Sequence, residues 1–173
     1  MKDLTIILSK PVNALGKIIT MYTKGNYSHS AIYFEGKIWE SAITLSQNKK
    51  ILNGILDIHN DPDAIHDVDY FEPNFEITEE QRRKIRVYLK ENKGKKYPML
   101  KLIYMLWVYP LRSYFNKKGV YSLPFWKIIK GEICCHFVDN LFFYIGMDIL
   151  PDLNSDICIP DDLANSKYFK KLG

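Results

Sequence analysis

The chain has 173 residues, 47% of them apolar and 25% charged, and its formal net charge is +4. This length and apolar fraction exclude a disordered chain and favour one domain with a packed core, so we predict a single domain over residues 1–173. Basic residues at 82–96 are mixed with glutamates, as on a solvated helix face, and we therefore expect no nucleic-acid partner.

Targeting and membrane-spanning patterns are not recognisable in the sequence. An aspartate at position 3 and a proline at position 11 leave no secretory apolar region between them. The longest uncharged apolar run, residues 102–111, is about half the length of a membrane span and contains a proline. We expect a cytoplasmic protein without an integral membrane segment, for which peripheral membrane contact remains possible.

The N-terminal half predicts a strand, a helix and a hairpin. Residues 4–8 form a short β-type run, and apolar residues then recur at helical spacing until Gly25: Leu15, Ile18, Ile19 and Tyr22. Two β-rich runs, 27–34 and 37–42, flank Glu35-Gly36, a pair typical of a tight hairpin. Residues 43–66 show no regular pattern, and 67–73 predicts a further strand.

The C-terminal half predicts mainly helices. A helix over 78–92 begins with the capping-box spacing of Thr78 and Gln81. Helical pieces are expected at 99–107 and 124–130, followed by a helix over 133–146 and a last short turn capped by Asp161 or Asp162. Strands grouped between helices indicate an α+β domain with an antiparallel sheet packed against helices.

The hairpin carries a histidine and a glutamate that we expect to meet. If Glu35 and Gly36 are the two loop residues, Ala31 pairs with Glu40, and His29 is the diagonal neighbour of Glu40 on the same sheet face. A carboxylate there would fix the tautomer of the imidazole and favour its protonated form. A three-residue loop would instead place Glu40 on the opposite face, and a solvated Glu40 near a structural His29 is the alternative.

Cys134 begins the predicted C-terminal helix. It opens an apolar stripe of Phe137, Val138, Leu141 and Ile145, while the adjacent Cys135 is rotated by about 100°. Unpaired N–H groups and the helix dipole lower the pKa of a thiol at this position, and an imidazole from elsewhere would complete a nucleophile. Burial as a small apolar residue is the alternative, and we prefer it for Cys135 and Cys158.

Two clusters raise the question of a metal. Zinc binding by Cys134, Cys135 and His136 is disfavoured because adjacent helical side chains diverge. The stretch "DIHNDPDAIHDVD" (57–69) contains His59 and His66 among aspartates, which are more often turn residues than ligands. We therefore predict no metal and no cofactor.

Several segments resemble one family. "YSHSAIYFEGKIWESA" is similar to the histidine hairpin of circularly permuted, NlpC-type papain-like cysteine hydrolases, the bacterial YiiX/YaeF-like group. "ICCHFVDNLF" resembles that group's Cys-Ser-Glu-Phe/Leu-Val pattern, and also the Cys-Glu-His-Phe-Val pattern of the lecithin:retinol acyltransferase family. "TEEQRRKIRVYLKENKGKKYP" and "IPDDLANSKYF" resemble the family's central helix with its Gly-x-x-Tyr turn and its closing segment.

The resemblance implies a permuted papain-like fold and a role for each site residue. Cys134 would be the nucleophile, His29 the general base and Glu40 the residue that orients the histidine. Tyr97 would line the site, and we expect Tyr27, at the start of the hairpin motif, to contact the substrate as well.

The resulting hypothesis is a cysteine hydrolase that forms an acyl-enzyme. An amide such as a cell-wall peptide bond is the preferred substrate. A lipid acyl transfer or thioesterase reaction is the first alternative, with "LIYMLWVYPLRSYF" (102–115) as a lipid-facing lid or groove. A non-enzymatic binding module that keeps the fold is the second alternative. The sequence leaves the oligomeric state open.

Overall fold

The computed structural model describes residues 1–45, 51–59, 67–109, 131–153 and 157–173. Within these ranges the elements, in chain order, are β1 (Ile6–Ser9), α1 (Ala14–Thr23), β2 (His29–Phe34), β3 (Lys37–Leu45), β4 (Ile51–His59), β5 (Val68–Pro73), α2 (Glu79–Asn92), α3 (Met99–Val108), α4 (Cys134–Tyr144), α5 (Pro160–Ala164) and β6 (Phe169–Lys171). The predicted helical piece at 124–130 and the end of the aromatic stretch, 110–115, lie outside the described residues.

The strands form one antiparallel sheet. Its order is β4-β3-β2-β1-β5-β6, and every neighbouring pair runs antiparallel. Helix α4 packs against this sheet through Phe137, Val138 and Leu141, all fully buried. The α+β class and the antiparallel sheet packed on helices are confirmed.

The β2–β3 hairpin has the predicted two-residue loop. Glu35 and Gly36 both adopt positive φ, at 50° and 76°, as the tightest hairpin turns require. The pairing then runs from Phe34 with Lys37 to Ala31 with Glu40. Because side chains alternate along a strand, this register fixes which residues of the two strands share a face.

Helix α2 supports α4 from the side. Its start is the predicted capping box, in which the Thr78 hydroxyl accepts the Gln81 N–H at 3.1 Å. Its buried Tyr88 stacks on Phe137 of α4, with ring centroids 6.1 Å apart. Each such buried apolar side chain stabilises the fold by roughly 1.5–3 kcal/mol, so α4 is held on two sides.

The prediction that residues 43–66 are irregular was wrong for residues 43–45 and 51–59, while residues 46–50 and 60–66 lie outside the described residues. Residues 43–45 extend β3, and Ile51–His59 form β4, which pairs with β3 from Leu45–Ile51 onward. Asn53 and Gly54 interrupt the alternation of β4 and resemble a turn in the sequence. Pairing with the long β3 nevertheless holds them in the sheet, because tertiary context overrides local propensity.

The apolar stripe of α1 is only partly buried. Of the four apolar residues whose spacing predicted this helix, Ile19 is buried, whereas Leu15, Ile18 and Tyr22 are exposed. The helix instead turns Gly16, Ile19 and Thr23 inward. An apolar surface therefore remains on the outer side of α1.

Candidate active site

His29 and Glu40 are hydrogen-bonded across the hairpin. His29 is the first residue of β2, and its Nε2 lies 2.6 Å from Oε2 of Glu40 in β3. The expected diagonal contact is therefore present. Both side chains are only partly exposed, so the pair is shielded from competing water.

The environment of His29 favours its protonated form. Burial lowers the pKa of His29, but the charge of Glu40 and hydrogen bonds to Cys134 and Glu40 outweigh it and raise that pKa to about 10. Glu40 therefore both orients the His29 ring and stabilises the positive charge of its protonated form.

Cys134 opens helix α4 and contacts the same ring. The sulfur lies close enough to the ring for His29 to lower the pKa of the thiol, and because Nε2 is engaged by Glu40, Nδ1 is the ring nitrogen left for the sulfur. The helix begins after Ile133, without a side-chain cap. The first-turn N–H groups of a helix have no intrahelical acceptor, so Cys134 lies where backbone donors converge. The structure thus brings together all three predicted catalytic residues.

The thiol of Cys134 is more firmly protonated than the helix position alone predicts. The contact with Cys135, in which the Cys134 thiol is the donor, and burial raise the pKa of Cys134, and His29 only partly offsets them. The sequence-based expectation of a lowered pKa was therefore wrong. It treated Cys135 as a packing residue without influence on its neighbour.

Cys135 and Cys158 lie behind the nucleophile position. All three cysteines of the chain are unpaired and buried. The Cys135 thiol donates to the backbone carbonyl of Cys158 at 2.8 Å, and burial raises the pKa of both thiols. Their packing role is as predicted, but Cys135 also acts on Cys134.

A cleft of about 210 Å³ opens in front of the His29–Glu40 pair. His29, Glu40 and Tyr97 line it, together with polar and apolar residues from the end of β1, the loop after it, α1 and the hairpin region: Ser9, Lys10, Val12, Asn13, Leu15, Gly16, Ile19, Ser28 and Ala42. Only 6% of the Cys134 surface is exposed. Burial and, to a smaller extent, the charge of Cys134 raise the pKa of Tyr97. The Cys134 thiol therefore lies close to Tyr97, just behind the part of the cleft wall that His29 and Tyr97 form.

Tyr27 lies apart from this cleft. It is 7% exposed, its ring packs edge-on against Phe71, and its hydroxyl donates to Asp69 of β5 at 2.7 Å. Burial and the Asp69 carboxylate raise the pKa of Tyr27. Tyr27 lies two residues before His29, so its bond to Asp69 ties the start of β2 to β5.

The stretch 57–69, weighed above as a metal site, lies only partly within the described residues. His59 ends β4 opposite Ile38, and His66 lies outside the described residues. Among the residues that the structure describes, no group of three or more His, Cys, Asp or Glu side chains could hold a metal ion.

Comparison with known proteins yields a match to the fold but none to the sequence. No family model matches the chain, and no curated protein sequence matches it. A solved structure does: the metalloprotein YiiX from Escherichia coli O157:H7, DUF1105, at a TM-score of 0.55 and 13% identity. The match covers 99% of this chain and 96% of that one. The chain has the YiiX fold. This agrees with the YiiX-like group suggested by the sequence.

None of the helices in the described ranges is both long enough and apolar enough to span a membrane.

Proposed function

We propose that the chain is a cysteine hydrolase of the permuted, NlpC-type papain-like class. One observation carries the proposal: a thiol at the first turn of a helix lies beside an imidazole that lowers its pKa, and Nε2 of that imidazole binds a carboxylate at 2.6 Å. These are the nucleophile, the base and the orienting acid that covalent acyl chemistry needs. The YiiX fold and the sequence motifs support the same class.

The reactive state is the Cys134 thiolate beside the His29 imidazolium. The thiolate sulfur attacks the carbonyl carbon of an amide, ester or thioester, and first-turn N–H groups of α4 receive the oxyanion. The imidazolium gives its proton to the leaving group, which departs and leaves a thioester on Cys134. Water then attacks this thioester and its proton passes to His29. The acid product leaves and Cys134 is released as the thiolate, which restores the starting pair with the His29 imidazolium. Glu40 keeps the ring in place throughout.

No metal takes part in the proposed reaction. YiiX is called a metalloprotein, but among the described residues no ligand set of three fits a metal ion here. We therefore derive no step through a metal. The donors nearest Cys134 come from different elements: Cys135 is its neighbour in α4, Cys158 precedes α5 and His29 begins β2.

Alkylation of Cys134 as a function of pH tests the proposal. Because His29 lowers the pKa of Cys134, the His29→Ala variant should move the alkylation midpoint upward, by about one pH unit or more. Iodoacetamide is the probe, and tandem mass spectrometry assigns the modified cysteine. An unchanged midpoint in His29→Ala would sink the enzyme proposal and leave a non-enzymatic binding module.

Trapping of an acyl-enzyme tests the covalent step directly. Incubation with an activated peptide thioester should add the acyl mass to Cys134, and Cys134→Ser should remove that adduct. The matched control is Cys158→Ser, which removes a buried thiol of the same cluster and should retain the adduct. An adduct elsewhere on the chain would contradict the assignment of Cys134.

A lipid acyl substrate is the second candidate, favoured by the apolar surface of α1. Val12, Leu15 and Ile19 line the cleft beside His29, and Ile18 and Met21 extend the same helix surface into solvent. A lipid substrate should make the reaction faster with micelles or vesicles, and Ile18→Ser should reduce that gain. Val87→Ser, at an exposed apolar residue of α2, is the control. Indifference to micelles favours the peptide amide.

A further inference from the structure

Two residues just upstream of the Cys134 helix, separated from it by Ile133, are held by side chains from four elements. We call Gly131 and Glu132 the entry segment. The groups that bind it are the Ser41 hydroxyl of β3, the Tyr88 hydroxyl of α2, the Lys101 amine of α3 and the Asn140 amide of α4. Only Ile133 separates the segment from the proposed nucleophile.

Ser41 joins the entry segment to the strand of the catalytic acid. Its hydroxyl donates to the backbone carbonyl of Glu132 at 2.5 Å, over a sequence separation of 91 residues. Ser41 is 1% exposed and directly follows Glu40 in β3. Neighbouring residues of a strand point to opposite faces, so Glu40 holds His29 while Ser41 holds the start of the Cys134 helix. Strand β3 thus contacts both the His29 part and the Cys134 part of the proposed site.

The Glu132 carboxylate fixes the segment from the other side. The Tyr88 hydroxyl donates to its Oε2 at 2.7 Å, and the Asn140 amide donates to its Oε1 at 3.0 Å. Burial raises the pKa of Glu132, while these two donors work against that rise. Both oxygens are therefore occupied, and the carboxylate cannot rotate without losing a bond.

Gly131 makes the tight approach possible. Its φ is +108°, which favours glycine, and a Cβ at this position would lie 2.8 Å from the Lys96 carbonyl oxygen. The Lys101 amine donates to the Gly131 carbonyl at 2.9 Å. The backbone therefore has little freedom immediately before α4.

We propose that Ser41 and Glu132 are positioning residues, which hold the Cys134 thiol at bonding distance from the His29–Glu40 pair. This inference rests on the proposed function, because it assigns the two residues to the geometry of that site. They touch no reacting atom and act through the start of helix α4. Loss of either contact lets Cys134 move away from His29 while the His29–Glu40 bond stays intact.

The experiment compares two buried serines that make the same kind of bond. The control variant is Ser166→Ala. Ser166 is also buried, and its hydroxyl donates to the Ile149 carbonyl at 2.8 Å, away from the entry segment. The readouts are the pH midpoint of Cys134 alkylation by iodoacetamide and the His29 ring titration followed by NMR. A merely structural serine changes the melting temperature but neither midpoint.

We expect Ser41→Ala to raise the Cys134 midpoint by about half a pH unit or more and to lower the His29 midpoint, because each group loses the other's support. Ser166→Ala should change only the melting temperature. If both variants leave the two midpoints at the wild-type values, the positioning role is wrong. Should Ser41→Ala fail to fold, Glu132→Gln carries the test, since its amide can satisfy only one of the two donors and should move both midpoints the same way.

The two proposals fail in different ways. If His29→Ala does not alter Cys134 alkylation in the otherwise unchanged chain, the proposed function fails. If His29→Ala does alter it and neither Ser41→Ala nor Glu132→Gln has an effect, only the positioning role fails.

Discussion

The thiol of Cys135 lies beside that of Cys134, and this contact is the leading cause of the raised pKa of Cys134. His29 acts in the opposite direction on the same sulfur. The reactivity of the proposed nucleophile is therefore set between a neighbour in its own helix and a residue across the sheet. The more deeply buried Cys135 is in turn bonded to the Cys158 backbone.

Replacing Cys135 should make Cys134 more acidic. We expect Cys135→Ala to lower the pH midpoint of Cys134 alkylation by about one unit, because the group that most strongly raises that pKa is gone. Cys158→Ala keeps Cys135 in place and serves as the control, with a midpoint close to wild type. An upward move in Cys135→Ala would show that the second thiol assists the first.

Replacing Glu40 should release the histidine from its protonated state. In Glu40→Gln the charge that raises the pKa of His29 is lost while burial remains, so the midpoint should fall from about 10 by two units or more. NMR titration of the ring measures it. Glu35→Gln in the turn of the same hairpin removes a carboxylate that binds Arg86, and it should leave His29 unchanged. Equal effects from the two variants would refute the specific role of Glu40.

The His29–Glu40 pair also makes stability depend on pH. The folded pKa of His29, about 10, lies above the ordinary value of 6.5, so the folded chain binds more protons between these two values. The stabilisation is complete below about pH 6.5 and is lost as the pH rises through about 10. Urea unfolding of wild type and His29→Gln at several pH values should give curves whose difference shrinks across this window. A constant difference would contradict the raised pKa.

The hairpin and the nucleophile helix could be predicted because their signals are local. Glu35-Gly36 sets the register that brings Glu40 to His29, and the apolar stripe after Cys134 defines the helix and its buried face. Strand β4 could not be predicted, since Asn53 and Gly54 look like a turn until β3 pairs with them. Local periodicity carries no information about such long-range pairing.

The chemistry of the thiol was harder to predict than its position. Helix start and imidazole are both visible in the sequence, and both lower a thiol pKa. The opposing effects of burial and Cys135 depend on packing, which brings Cys158 beneath the helix from 23 residues away. The bond from Ser41 to Glu132 spans 91 residues and has no sequence pattern at all.

The variant Tyr27→Phe separates a structural role of Tyr27 from a role in substrate binding. Its hydroxyl donates to the Asp69 carboxylate at 2.7 Å, and Lys171 binds the same Asp69 oxygen at 2.8 Å. A buried hydrogen bond to a charged group contributes roughly 1.5–3 kcal/mol, so Tyr27→Phe should lower the free energy of unfolding by about that amount. Urea denaturation measures the loss.

The same variant should leave the site unchanged, because Tyr27 does not line the cleft that holds His29. We expect the pH midpoint of Cys134 alkylation and the yield of the acyl adduct to match wild type. Tyr144→Phe, at a partly exposed tyrosine of α4, is the control for removing a hydroxyl and should change stability by less than about 0.5 kcal/mol. A Tyr27→Phe protein of wild-type stability with a reduced adduct yield would return Tyr27 to the substrate site.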